Sequence, residues 1–93
     1  MSNKQGAVVT VLGRDRTGII AHVSRVLWEH EVNIVDLSQT VTEDMFHMVM
    51  LVDVEKLQTS FGALADQLRD LGDQLGLQIR IQRSEIFDAM HTV

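Results

Sequence analysis

The residues best placed to do chemistry form one short run, Gly13-Arg14-Asp15-Arg16-Thr17-Gly18. It lies between an apolar, β-branched segment and the first helical pattern. A glycine-bracketed turn that opens a helix leaves backbone N–H groups free at the helix start, and these favour an anion such as a carboxylate. The glycines let a ligand approach the main chain. Asp15 adds a negative charge that suits an ammonium group. A free amino acid carries both groups on one carbon, so the loop has the chemistry to hold one. The same residues also make an ordinary strand-to-helix turn in which Asp15 or Thr17 caps the helix. The pattern alone does not separate the two readings. The run is not a phosphate-cradling P-loop, because it lacks the Lys-Ser/Thr pair that holds phosphate and magnesium.

Elsewhere the chemistry thins out. Asn33 is as readily a turn residue that tolerates unusual φ and ψ. His22, His30, His47 and His91 fall at no metal-ligand spacing. Met45, Met48 and Met50 read as core or interface filler, not as soft-metal ligands. No two carboxylates can be argued into one pocket, and Ser24, Ser38 and Ser60 lack the context of an activated nucleophile. The chain has no cysteine, which excludes disulfides, thiolate zinc sites and cysteine catalysis. No catalytic residue, metal or cofactor is therefore expected.

The elements that position the loop follow from the hydrophobic pattern. Residues 7–12, Ala-Val-Val-Thr-Val-Leu, read as a buried strand. Ile19, Val23, Val26, Leu27 and His30 recur at helical spacing after the loop. Val35, Leu37, Gln39 and Val41 alternate with polar residues, the period of a half-buried strand. Glu43-Asp44 is a hairpin turn, and the third strand, Met45 to Val52, is apolar on both faces apart from His47. Phe61, Leu64, Leu68, Leu71 and Leu75 form the seam of a second helix that ends at Gly76. Leu77 to Arg83 alternates as a last strand. A tail, Glu85 to Val93, places Ile86, Phe87 and Met90 on one helical face.

The order β-α-β-β-α-β predicts an α+β, ferredoxin-like sandwich: a four-stranded antiparallel sheet with both helices on one face, and a short C-terminal helical tail. At 93 residues the chain allows one domain, residues 1–93, with a thin core. The sheet face without helices is bare and partly apolar, which predicts a homodimer. The net charge of −5 argues against nucleic acid and against anionic membranes as direct partners. Met1 to Gly6 has no apolar signal core, and no apolar run spans a bilayer, so a cytoplasmic protein is expected.

The loop Gly13-Arg14-Asp15-Arg16-Thr17-Gly18-Ile19 and the later run Val32-Asn33-Ile34 resemble the two halves of the ACT domain signature. Asp36-Leu37-Ser38-Gln39-Thr40 and Ile86-Phe87-Asp88-Ala89-Met90 extend the likeness to small bacterial and archaeal single-ACT proteins. These are similar to the ACT units of the glycine-cleavage-system transcriptional repressor. The resemblance implies a regulatory module that pairs side by side and binds an amino acid at the pair interface. It implies ligand contacts from Gly13, Arg14, Asp15, Thr17, Gly18 and Ile19 of one chain, with Asn33 and Ile34 of the partner. It further implies action on a separate regulated protein. Many ACT domains have proline before the second glycine, where this chain has Thr17. The competing expectation is a structural dimerisation or adaptor domain with a degenerate site. An acylphosphatase-like enzyme is excluded by the loop's glycine spacing, and an RNA-binding sheet by the absence of stacking aromatics.

Overall fold

The computed structural model describes residues 5–84. The elements run β1 (Gly6–Arg14), α1 (Ile19–Glu29), β2 (Asn33–Thr42), β3 (Met45–Asp53), α2 (Phe61–Leu75) and β4 (Leu77–Arg83). The strands form one antiparallel sheet in the order β2-β3-β1-β4. This is the predicted ferredoxin-like arrangement, with β2 and β4 at the edges. The predicted C-terminal helical tail lies outside the described residues.

Alternation decides which side chains enter the core. Ala7, Val9 and Val11 of β1 point the same way as Phe46, Met48, Met50 and Val52 of β3 and Leu77, Ile79 and Ile81 of β4. All ten are buried, against Ile19, Val23 and Leu27 of α1 and Leu64 and Leu68 of α2. Burying a side chain of this kind contributes about 1.5–3 kcal/mol, so these few residues dominate the stability of a small domain. No polar or charged residue is buried among those described. The other face carries Val8, Leu12, Met45, Val49 and Leu51 along its middle, with Thr10, His47 and Arg80 beside them. Leu12 and Met45 are exposed there, so β3 does present apolar residues on both faces.

Helix α2 is bounded as its sequence suggests. The Ser60 hydroxyl accepts a 3.0 Å bond from the Ala63 N–H, and Gly76 ends the helix in the left-handed region at φ 72°. Gly72 looks like a weak spot in the last turn, but it is buried, and a Cβ there would lie 2.5 Å from the Leu77 carbonyl oxygen. The absence of a side chain lets α2 close onto β4.

Two expectations are corrected. Neither Asp15 nor Thr17 caps α1: the N-cap is Gly18, at φ 87°, and no side chain bonds the helix start. The simple alternation expected of β2 is also broken. A bulge between Ile34 and Asp36 takes Val35 out of register, so Ile34 and Leu37 are the half-buried residues that pair with Val52 and Met50.

Candidate functional site

The predicted loop sits where β1 ends. Gly13 and Arg14 are still in the strand, beside Phe46 and Met45 of β3. Gly13 faces the helices, and its role is packing. A Cβ there would come within 2.5 Å of the Leu77 side chain and 3.1 Å of the Gly76 carbonyl oxygen. The close neighbour of Gly13 is therefore the α2–β4 turn of the same chain, and not a ligand. Arg14 projects from the end of the strand and lies 3.9 Å from the Asp44 carboxylate, both side chains being exposed. Such a pair is worth roughly 0–1 kcal/mol, so Arg14 stays available to another anion.

The Asp15 N–H donates to the Asp44 carbonyl at 2.7 Å, which ties the loop to the β2–β3 hairpin. Among the described residues the Asp15 carboxylate takes no hydrogen bond and no ion pair. Arg16 reaches the Leu75 carbonyl at 3.4 Å. Together Arg14, Asp15, Arg16 and Thr17 face Leu75 and Gly76 across an open cleft of about 590 Å³. Leu75 and Gly76 lie some sixty positions away in sequence, and pairing of β1 with β4 brings them here. Leu75 and Gly76 were not among the predicted site residues, and Arg16 lay inside the predicted loop without being assigned a contact. For the cleft's far wall the only sequence hint was the C-capping glycine.

Gly18 and Ile19 follow the cleft-lining loop in sequence and open α1. The left-handed φ of Gly18 strains any other residue, yet a Cβ there would meet only the His22 ring, at 3.5 Å. The position is constrained by conformation and open in space. Ile19 is 2% exposed, so its side chain belongs to the core. The first turn of α1 has no acidic residue and no side-chain cap. The helix dipole and the N–H groups of Ile19, Ile20 and Ala21 thus present an uncompensated positive end.

Asn33 and Ile34 are not part of this cleft in one chain. Asn33 pairs with Asp53, which pairs with Gly6, at the far end of the sheet from Arg14. The separation is eight residue steps along β1, about 26 Å at strand rise. Asn33 lines a second cleft of about 420 Å³ with Glu31, Val32, Asp53, Glu55 and Lys56. Ile34 is half-buried against the core. The histidines are dispersed: His22 lies beside Gly18, His30 bonds Gln67, and His47 is on the open sheet face. Among the described residues no three His, Asp or Glu side chains form a group able to hold a metal ion. No described helix is long and apolar enough to cross a membrane.

Comparison with known proteins agrees with this architecture. An ACT domain model matches residues 5–82. UPF0237 proteins of Methanopyrus kandleri and Bifidobacterium longum are 49% and 47% identical over 87 residues, which is 94% of this chain and 97% of each relative. Among solved structures, an ACT domain protein from Streptococcus pneumoniae superposes with a TM-score of 0.79 at 37% identity, covering 96% of this chain and all of that one. A candidate glycine cleavage system transcriptional repressor superposes at 0.72 with 28% identity, covering 90% of this chain and 48% of that one. The chain belongs to the ACT domain family, whose members are regulatory ligand-binding modules.

Proposed function

We propose that the chain is a non-catalytic regulatory module that binds a free amino acid between two copies of itself. The observation that carries this reading is the uncapped start of α1. No side chain caps it, and Asp15, three residues before the Gly18 N-cap, lines the Arg14–Gly76 cleft with a carboxylate that has no partner among the described residues. A carboxylate at Gly18 and Ile19 gains from the free N–H groups and the helix dipole. An ammonium group on the same carbon gains from Asp15. The Asp15 side chain makes no bond within the fold among the described residues, and a ligand accounts for that better than a turn does.

The distance to Asn33 makes the dimer part of the mechanism. If Asn33 and Ile34 contribute, they come from a second chain. A two-fold pairing that aligns one sheet antiparallel to the other sets the Asn33 end of one chain beside the Thr42 end of its partner. The partner's loop is fastened to that same end through Asp44. A ligand held by both chains then stabilises the dimer by linkage, and the change in assembly is the signal passed to a regulated protein. A thermal-shift screen of the purified protein against the free amino acids tests this. One or a few should raise the melting temperature, by RT ln(1 + [L]/Kd) in free energy. No shift with any of them would favour the structural-adaptor reading.

A further inference from the structure

We infer that the open face of the sheet carries a second small-molecule site, centred on Thr10, which holds a small organic carboxylate between Arg80 and Leu12. The inference stands apart from the amino-acid reading and uses a different part of the surface.

The site follows from the strand register. On the face without helices, Thr10 of β1 lies between Val49 of β3 and Arg80 of β4, and Leu12 lies between His47 and Gln78. Directly opposed side chains start about 5 Å apart, so these residues form one patch. Thr10 is a short side chain on a central strand, and longer neighbours stand around it. They leave a hollow of about 210 Å³ lined by Thr10, Leu12, His47, Gln78 and Arg80. At roughly 30 Å³ per water that is room for about seven waters, more than an inorganic ion needs and enough for one ring.

The chemistry of the lining selects an anion. Thr10, His47, Gln78 and Arg80 each bring an O–H or N–H group. None of these four side chains has a hydrogen-bond or ion-pair partner among the described residues. The chain has 13 acidic residues against 8 lysines and arginines, yet no acid lines the hollow. Asp36 and Asp53 share this face but pair with Leu51 and Gly6, towards the other end of the sheet. Counted in strands and residue pairs, each lies about 16 Å from Arg80, beyond the ~8 Å screening length of physiological salt. Asp44, at the hairpin, lies 3.9 Å from Arg14. The Arg80 charge is thus unanswered within the fold. Its planar fork suits the two oxygens of a carboxylate. Leu12, 43% exposed, gives an apolar body a surface to lie on. A metal cation is repelled by Arg80, and this face has no Phe or Trp among the described residues to stack a nucleobase.

The hollow is tested by amide NMR titration of the intact protein at fixed ionic strength. Benzoate is the probe, compared with acetate, inorganic phosphate and benzyl alcohol. Benzoate should shift the amides of Thr10, Leu12, His47 and Arg80 saturably, with a dissociation constant on the order of 1 mM. Acetate and phosphate lack the ring and should bind about 10-fold more weakly. Benzyl alcohol lacks the charge and should not saturate. Arg80→Gln should weaken benzoate roughly 10- to 100-fold, the scale of a lost charged hydrogen bond. Leu12→Ser should bring benzoate down to the level of acetate. Arg83→Gln removes the neighbouring arginine, stacked 4.3 Å from the Phe61 ring, and should leave the affinity unchanged. Arg80 and Leu12 are exposed, so both variants should keep the wild-type spectrum away from the hollow. The inference is overturned by the absence of saturable shifts, by benzoate binding that survives Arg80→Gln, or by phosphate binding as tight as benzoate. Benzoate shifts confined to the Arg14–Gly76 cleft overturn it as well.

Discussion

Replacing Gly72 by alanine sets two effects of known size against each other. Glycine in a helix interior is about 0.8–1.0 kcal/mol less favourable than alanine, so propensity alone predicts a more stable protein. The packing predicts the opposite. The new Cβ would lie 2.5 Å from the Leu77 carbonyl oxygen and 3.3 Å from the Ile79 N and Cγ1. Relief to an ordinary contact of about 3.5 Å needs a shift near 1 Å between helix and strand. The first obstacle is backbone, held in the β1–β4 ladder by the pairing of Gly13 with Leu77. Overpacking of this kind costs typically 1–3 kcal/mol, and the position is buried, so sterics win. The expected net loss is about 1–2 kcal/mol, which at a urea m-value of roughly 1 kcal/mol/M lowers the midpoint by about 1–2 M. Gly62 is the control on the same helix. It is exposed, and nothing lies within 4 Å of its Cβ position. Gly62→Ala should therefore raise stability by about 0.5 kcal/mol, less than the mid-helix value because it sits in the first turn. Equal or greater stability for Gly72→Ala in urea unfolding would refute the packing argument.

Other expectations follow from single residues. Ser60→Ala removes the hydroxyl that accepts from the Ala63 N–H, and should cost about 1 kcal/mol in the same unfolding assay. Glu43 holds φ 58° in the β2–β3 turn, so Glu43→Gly should be neutral to stabilising by up to about 1 kcal/mol, read as a rise in melting temperature. Asp15→Ala should leave the unfolding free energy of the free protein unchanged within about 0.5 kcal/mol, yet weaken amino-acid binding by about 1.5–3 kcal/mol in calorimetry. Gly18→Val forces a β-branched residue to φ 87° at the N-cap; it should both abolish binding and destabilise the fold by about 1–2 kcal/mol.

Much of this was readable in the sequence, for identifiable reasons. The α2 seam and the Leu77–Arg83 strand were legible because each buries one face against a continuous core, so the period survives in the residues. The bulge at Val35 was not. Ile34 and Val35 are both β-branched, and either fits an inward position, so only the pairing with Val52 reveals which one enters. The α1 start misled for a related reason. Asp15 and Thr17 have good capping chemistry, but the chain stays extended through Arg14, and Gly18 takes the left-handed turn instead. Gly13 was legible as a necessary glycine, but not for the right reason, because its crowding neighbour is Leu77, far away in sequence. The cleft's far wall, Leu75 and Gly76, exists only once β4 lies beside β1. Long-range pairing of this sort leaves no local trace.

The central claim is a ligand site shared by two chains, and complementation tests it most directly. Asp15→Ala disables the loop half and Asn33→Ala disables the strand half. Each variant alone should bind the amino acid selected by the thermal-shift screen weakly or not at all in calorimetry. Refolded together in equal amounts, half the dimers are mixed, and each mixed dimer holds one intact site. The mixture should therefore recover wild-type affinity at roughly a quarter of the wild-type stoichiometry. A mixture as silent as its components, beside a wild type that binds, would contradict the shared site and place the ligand within a single chain.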